Sequence, residues 1–275
     1  MTTPNIALNP PNAPTRTAIQ RLSHAIALEA IYGIWLRDLK KFWRERSRLW
    51  GGVARPILWL LILGTSLKPA ISAQTLGGST DYTQYIFPGV LGLTLIFSAI
   101  QSATSIIWDR EFGFLKEVLA APVPRLSVII GKAFGGATQA TLQGIITLLF
   151  APIIGLSLPA LQIVKLIVLM FLIGFALTLL GIVIASRMTS FEGFGTMSNF
   201  VVMPMYFLSG AIYPISNAPN WIQLVAVFNP LAYGVDAMRH IAIGVGLHSL
   251  WLDVGFMAVF SLVMLAIAYP MFKRE

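Results

Sequence analysis

Long apolar stretches are the feature that most limits how this chain can fold. About 20 apolar residues in a helix are needed to cross a hydrocarbon core of roughly 30 Å, where backbone groups find no water to pair with. Six stretches qualify: residues 52–71, 86–107, 128–154, 161–186, 196–213 and 250–272. With 56% hydrophobic and 11% charged residues, the 275-residue chain is too apolar for a water-soluble globule. The sequence predicts an all-α membrane protein with six transmembrane helices.

The positions of the basic residues predict the orientation of these helices. If the amino terminus is cytoplasmic, 16 of the 19 Lys and Arg residues lie on the cytoplasmic side, and only Lys68, Lys165 and Arg239 lie outside. Basic residues are enriched in cytoplasmic flanks, so we expect a multi-pass inner-membrane protein with both termini in the cytoplasm. The basic residues that give the chain its net charge of +8 flank the apolar stretches. This position favours membrane lipid, and not nucleic acid, as the partner of the basic residues.

The residues before the first predicted span divide into two parts. Several prolines predict a disordered tail over residues 1–22. Over residues 23–50, Leu28, Ile31 and Trp35 recur at helical spacing while basic side chains occupy other faces. This pattern predicts an amphipathic interface helix on the cytoplasmic membrane surface, and the alternative is a solvated helix in a soluble domain. Residues 51–275 then form the six-span transmembrane domain.

The segment before the last span has a different character. Residues 214–249 are apolar, but Pro214, Pro219 and Pro230 interrupt them. The segment is too apolar for water and too interrupted to span, so we expect short re-entrant or interfacial helices at the outer side.

Catalytic motifs are missing from the sequence. The chain has no cysteine, which excludes thiol catalysis and Cys-ligated zinc. A phosphate-binding loop would end in Gly-Lys-Ser/Thr, but residues 131–133 read Gly-Lys-Ala. His24, His240 and His248 show no metal-ligand spacing. We therefore expect no ATPase site, no metal and no cofactor in this chain.

Polar residues inside the predicted spans are the candidates for a translocation path. Acidic residues lie outside the spans or near their ends, which is evidence against an ion-coupled carrier. Lys132, near the start of the third span, is expected to snorkel back to the interface. Uncharged polar groups either line a path or form hydrogen bonds between helices. The path candidates are Ser98, Gln101, Ser102, Ser105, Asn199 and Tyr206.

Two motifs resemble a known family. Residues 108–125 read Trp-Asp-Arg-Glu-Phe-Gly-Phe-Leu-Lys-Glu-Val-Leu-Ala-Ala-Pro-Val-Pro-Arg, and Gly131 and Lys132 follow. Residues 228–233 read Phe-Asn-Pro-Leu-Ala-Tyr, followed by Asp236 and Arg239. Both motifs resemble those of type-2 ABC exporter permeases, the family of daunorubicin-resistance and nodulation-factor membrane subunits. The resemblance extends over nearly the whole chain.

The resemblance implies partners and site residues. In that family the permease forms a dimer with itself, and each copy binds a cytoplasmic ATPase subunit that holds ATP and Mg. The loop after the second span would be a coupling helix docked on the ATPase, and its balanced charges suit a protein surface better than a lipid anchor. The implied coupling residues are Asp109, Arg110, Glu111, Lys116, Glu117 and Arg125, assisted by Arg187 and Glu192. The implied outer lid contains Asn229, Pro230, Tyr233, Asp236 and Arg239.

The sequence thus favours one function over two alternatives. The favoured function is the permease subunit of an ATP-driven exporter, which moves a lipid-like molecule, a glycolipid or polysaccharide, or a hydrophobic small molecule outward. The alternatives are an ion-coupled secondary transporter, which would work without nucleotide, and a non-transporting membrane scaffold, which would form complexes that lack an ATPase.

Overall fold

The computed structural model describes residues 16–66, 81–112 and 124–273, and the regular structure in those residues is entirely helical. The predicted all-α class is therefore confirmed for the described residues. Their α-helices are α1 Arg16–Arg44, α2 Arg46–Ser66, α3 Tyr82–Ser102, α4 Thr104–Glu111, α5 Arg125–Leu148, α6 Ala160–Arg187, α7 Phe191–Phe207, α8 Asn220–Val227, α9 Pro230–Ile243 and α10 Leu250–Lys273. Short 3-10 helices lie at Ala151–Ile154 and Ile215–Asn217.

Three helical segments of the described residues are long and apolar enough to cross a membrane: Tyr82–Glu111, which joins α3 and α4, Ala160–Arg187 and Leu250–Phe272. The remaining predicted spans are shorter or more polar. The apolar part of α2 is Pro56–Ser66, and residues 67–71 of the first predicted span lie outside the described residues. The lengths and hydropathies identify a membrane protein, and the count of six spans stays a prediction.

The boundaries of the two amino-terminal helices differ from the predicted ones, which placed a tail at residues 1–22 and one helix at residues 23–50. Helix α1 starts at Arg16, inside the predicted disordered tail, and ends at Arg44. Helix α2 starts at Arg46 and continues into the first predicted span, so the helix boundary lies before residue 50. Residues 1–15 of the predicted tail lie outside the described part of the chain. Proline spacing marked the start of the chain as non-helical, but the seven residues from 16 to 22 are helical.

Helix α1 packs along α5. The Trp35 indole donates to Thr138 Oγ1 at 3.0 Å, and the Gln139 amide donates to the backbone oxygen of Asp38 at 3.3 Å. A Cβ added to Gly131 would meet Ile34, so the small residue allows close approach of the two helices. The apolar face of α1 is therefore covered partly by protein. Its predicted place on the membrane surface stays a prediction.

The core of the bundle lies where α3, α5 and α6 meet. Gly136 of α5 faces Ser102 of α3 and Thr178 of α6, and a Cβ at this glycine would collide with both side chains. Farther along α5, a Cβ at Gly144 would meet the sulfur of Met170 at 2.7 Å. Small residues in α5 therefore let three helices approach one another closely, as in other membrane bundles.

Short helices precede the last long helix, in agreement with the sequence prediction. Helix α9 begins with Asn229 as its N-cap and Pro230 at its first position, a combination that favours helix initiation. It ends at Gly244, whose φ of 72° is a left-handed conformation that glycine adopts readily. Helix α9 packs against α3, α6 and α10, so it belongs to the bundle.

Candidate functional site

Four charged side chains join α1, α4 and α5 at one end of the bundle. Lys132 Nζ lies 2.6 Å from Asp109 Oδ2, and Arg37 Nη2 lies 2.9 Å from the same oxygen. Arg37 also pairs with Asp38 Oδ1 at 2.9 Å, and Lys132 Nζ is 3.9 Å from Asp38 Oδ2. We call Arg37, Asp38, Asp109 and Lys132 the charge cluster. Its two positive and two negative groups balance one another.

Two members of the charge cluster are buried, so their charges need partners within the protein. Lys132 is 4% exposed and Asp38 is 6% exposed, and a buried charge is tolerated only when it is paired. Burial by itself lowers the pKa of Arg37, but the carboxylates of Asp38 and Asp109 outweigh burial and raise that pKa above its ordinary value. Arg37 therefore stays charged.

The structure gives Lys132 partners that the sequence did not predict. Its ammonium group donates to Asp109 at 2.6 Å and to Ser105 Oγ at 3.2 Å, so a carboxylate within reach satisfies the charge. Snorkelling of Lys132 to the membrane interface stays a prediction. Sequence reasoning also missed Arg37 and Asp38 as partners. One signal was available, because Asp109 follows the second predicted span and Lys132 begins the third, and consecutive antiparallel helices bring such ends together.

Arg110 connects the end of α4 to the end of α6. Its Nη1 donates to the Met188 carbonyl at 2.6 Å, and its Nη2 donates to the Ser186 carbonyl at 3.4 Å. A guanidinium group at a helix carboxyl end pairs with carbonyl oxygens that have no partner within the helix, and it complements the helix dipole. Asp109 and Arg110 together bind α1, α5 and α6 to the same short helix.

The other predicted coupling residues fall into two groups. Glu111, Arg187 and Glu192 are exposed, and Arg125 is partly exposed, so their side chains reach the surface of the described structure. Lys116 and Glu117 lie in residues 113–123, outside the described residues.

The predicted translocation-path residues divide equally. Gln101, Ser102 and Ser105 line a cavity of about 340 Å³ beside the charge cluster, whose wall also includes Phe42 and Trp108. Ser98, Asn199 and Tyr206 are not part of that wall. Ser98 and Tyr206 are buried, whereas Asn199 is exposed. The Tyr206 ring packs edge-on to Trp59 at 6.3 Å between centroids. The sequence did not distinguish cavity-lining residues from residues buried between helices.

The residues predicted as an outer lid are buried at the other end of the bundle. Asn229 accepts from the Leu231 amide at 3.0 Å and donates to the Met205 carbonyl at 2.7 Å. Pro230 follows it as the first residue of α9. The Tyr233 hydroxyl donates to the Val227 carbonyl at 2.9 Å. These contacts attach α9 to α7 and α8.

Arg239 and Asp236 hold the segments on either side of α9. Arg239 Nη2 donates to the Gly210 carbonyl at 2.8 Å, and its Cζ lies 4.0 Å from the centre of the Tyr85 ring. Asp236 accepts from the backbone amides of Leu247 and His248, each at 2.9 Å. Both side chains, with Tyr85, border a second cavity of about 530 Å³.

A helical bundle with three segments long and apolar enough to cross a membrane defines the class of integral membrane proteins. A family model described as ABC-2 type transporter matches residues 29–243, which is most of the chain. The chain therefore belongs to the ABC-2 type transporter family and is a permease subunit without its own ATPase site. Membership of this family implies a separate ATPase subunit as partner. The predicted family is confirmed.

Two relatives with permease names and one nodulation protein are similar to most of the chain. The chain is 30% identical over 223 residues to the putative transport permease ycf38 of Porphyra purpurea, which covers 78% of this chain and 74% of the relative. It is 26% identical to the inner membrane transport permease YadH of Escherichia coli strain K12, over 89% of this chain and 95% of the relative. It is 24% identical to nodulation protein J of Rhizobium leguminosarum bv. viciae, over 88% of this chain and 93% of the relative.

Proposed function

We propose that this chain is the membrane half of an ATP-driven exporter, which works as a homodimer and carries an amphiphilic or hydrophobic substrate outward. The family supports a permease that depends on a separate ATPase. The inner-membrane name of YadH supports the same location for this chain. The one-sided distribution of basic residues supports cytoplasmic termini.

The charge cluster is the observation that carries the proposed coupling mechanism. Asp109, in the last turn of α4, is bound both by Arg37 of α1 and by Lys132 of α5. Arg110 binds the carbonyls after α6. Residues 113–123 follow directly in the sequence, so a force applied there by a docked ATPase would act on α4 and, through these bonds, on three other helices. Rigid rotation of the helices would then open a path between the two copies of the permease.

The cavity of about 340 Å³ supports an amphiphilic substrate. Its wall combines aromatic rings, Phe42 and Trp108, with the polar groups of Gln101 and Ser102. The wall also carries the charged side chains of Asp38, Lys41 and Glu45, so apolar and polar groups face the same space. Such a wall suits an amphiphilic molecule that joins an apolar part to a polar headgroup such as a saccharide.

Charge reversal in the coupling loop tests the docking assignment. The variant combines Glu111→Lys with Glu117→Lys, and the control is Lys165→Glu, an exposed site in the first two turns of α6. Each tagged chain is purified with the ATPase that accompanies the wild-type chain, and ATP hydrolysis is measured with and without substrate lipid extract. We expect the double reversal to lose the ATPase and the control to keep it. Full assembly with undiminished stimulated hydrolysis in the double reversal would refute docking at this loop.

Reporter fusions test the orientation. A reporter active only in the cytoplasm should be active when fused after residue 275 or inserted within 113–123, and inactive within 72–80. Reporter activity only in the fusion within residues 72–80 would overturn the proposed topology. Transport by the purified chain in liposomes, driven by an ion gradient without nucleotide, would overturn the exporter assignment itself.

A further inference from the structure

Three potential metal ligands converge beside the larger cavity. Asp236 lies on α9, His248 lies in the loop that follows, and Asp253 lies in the first turn of α10. His248 Nδ1 is 3.5 Å from Asp236 Oδ2 and 3.7 Å from Asp253 Oδ1. One potential ligand atom from each residue lies within 4.8 Å of the other two. Neither the proposed export function nor the family assignment uses this arrangement.

The state of Asp253 points to a missing positive charge. This residue is 0% exposed, and neither of its carboxylate oxygens has a hydrogen-bond partner. Buried carboxylates are normally hydrogen-bonded, paired or bound to a metal. The nearest possible donor, His248 Nδ1, lies 3.7 Å from Asp253 Oδ1, beyond hydrogen-bond distance, and Oδ2 has no partner either.

We propose that Asp236, His248 and Asp253 bind a divalent transition-metal ion of the zinc type. Ligands of zinc lie at about 2.0–2.2 Å, so two ligands at tetrahedral positions are roughly 3.4 Å apart. The two distances from His248 Nδ1, 3.5 and 3.7 Å, are close to that value. The imidazole nitrogen favours zinc or a neighbouring transition metal, since calcium and magnesium take oxygen ligands.

The surroundings meet the further needs of a metal site. Backbone amides of Leu247 and His248 donate to Asp236 and hold its carboxylate in place, as outer-shell hydrogen bonds do in metal sites. The His248 ring stacks on Tyr233 with centroids 5.4 Å apart. Its side chain is 39% exposed and borders the cavity of about 530 Å³, which provides an access path and room for a fourth ligand. The bound ion would tie α9 to α10 across the turn at Gly244.

Metal binding by the purified full-length chain tests the proposal. The protein is prepared in detergent without a polyhistidine tag, treated with chelator and titrated with ZnCl₂ in a calorimeter. Co²⁺ serves as a second probe, because its visible absorption reports the ligand geometry. We expect one Zn²⁺ per chain. His248→Gln and Asp253→Asn each remove a direct ligand and should weaken binding by more than the roughly 10–100-fold that loss of an outer-shell partner costs.

His240→Gln is the matched control. His240 is an exposed histidine one turn after Asp236 on α9 and is not part of the cluster, so this variant should bind zinc like the wild type. The proposal is overturned if the wild type binds neither Zn²⁺ nor Co²⁺, if His248→Gln retains wild-type affinity, or if His240→Gln loses binding to the same extent. Gel filtration checks the fold of each variant. If Asp253→Asn aggregates, His248→Gln decides the question, because its side chain is partly exposed.

Discussion

Removing the charge of Lys132 is the most direct test of the charge cluster. Lys132→Met keeps an unbranched apolar stem but takes away half of the positive charge of the cluster. The lost contact is short, 2.6 Å to Asp109, and the Lys132 side chain is 3% exposed. Without Lys132, Arg37 is the one positive group of the cluster that faces both Asp38 and Asp109, so one negative charge is left uncompensated. Leaving a buried charge uncompensated costs about 3–5 kcal/mol. We therefore expect a large loss of stability.

Heating the detergent-purified chain and measuring the remaining monodisperse fraction by gel filtration gives an apparent melting temperature. For a chain of this length, 1 kcal/mol corresponds to about 2–4 °C, so Lys132→Met should melt roughly 6–20 °C below the wild type. The double variant Lys132→Met with Asp109→Asn should recover part of this loss. A neutral pair leaves no uncompensated charge, and coupling energies of contacting residues reach about 3 kcal/mol.

Lys165→Met is the control, because Lys165 is exposed and its replacement should change stability by no more than about 0.5 kcal/mol. If Lys132→Met has the same apparent melting temperature as the wild type, or if the double variant melts below the single variant, the charges of Lys132 and Asp109 are not coupled.

Two smaller changes test helix packing and capping by the same heating assay. Gly136→Ala adds a Cβ that collides with α3 and α6 and should cost about 1–3 kcal/mol, whereas Gly195→Ala, with open space around the new Cβ, should stabilise by roughly 0.5–1 kcal/mol. Equal changes in stability for Gly136→Ala and Gly195→Ala would contradict tight packing around Gly136. Asn229→Ala loses a cap worth about 0.5–2 kcal/mol and also the bond to the Met205 carbonyl. Ser190→Ala, which loses only a cap, should cost less.

Much of the helical architecture was predictable from the sequence, because the relevant signals are local. Apolar runs located the long helices at Tyr82–Glu111, Ala160–Arg187 and Leu250–Phe272. Prolines in residues 214–249 located the short helices before the last one. Proline content was a poorer guide at the amino terminus, where α1 starts at Arg16. Prolines disfavour helix where they stand, but they do not determine how far the next helix extends.

The candidate sites were only partly predictable, for a related reason. The loop motif identified Asp109 and Arg110, but it did not show that Asp109 binds Arg37 and Lys132. Likewise, Asp236 was assigned to a lid while His248 and Asp253 were treated separately, because spacings of 12 and 5 residues match no metal motif. Contacts of this kind join residues on different helices.

The sequence by itself determined that this is a membrane permease of α-helices and which loops carry its charges. These properties depend on the hydropathy, charge and motifs of continuous segments. Only the tertiary structure decided which charges meet, because each contact depends on how two helices are rotated about their axes and how far one is shifted along the other. Periodicity within one helix leaves both quantities open, so the pairing of Lys132 with Asp109 and the approach of His248 to Asp253 required the packed bundle.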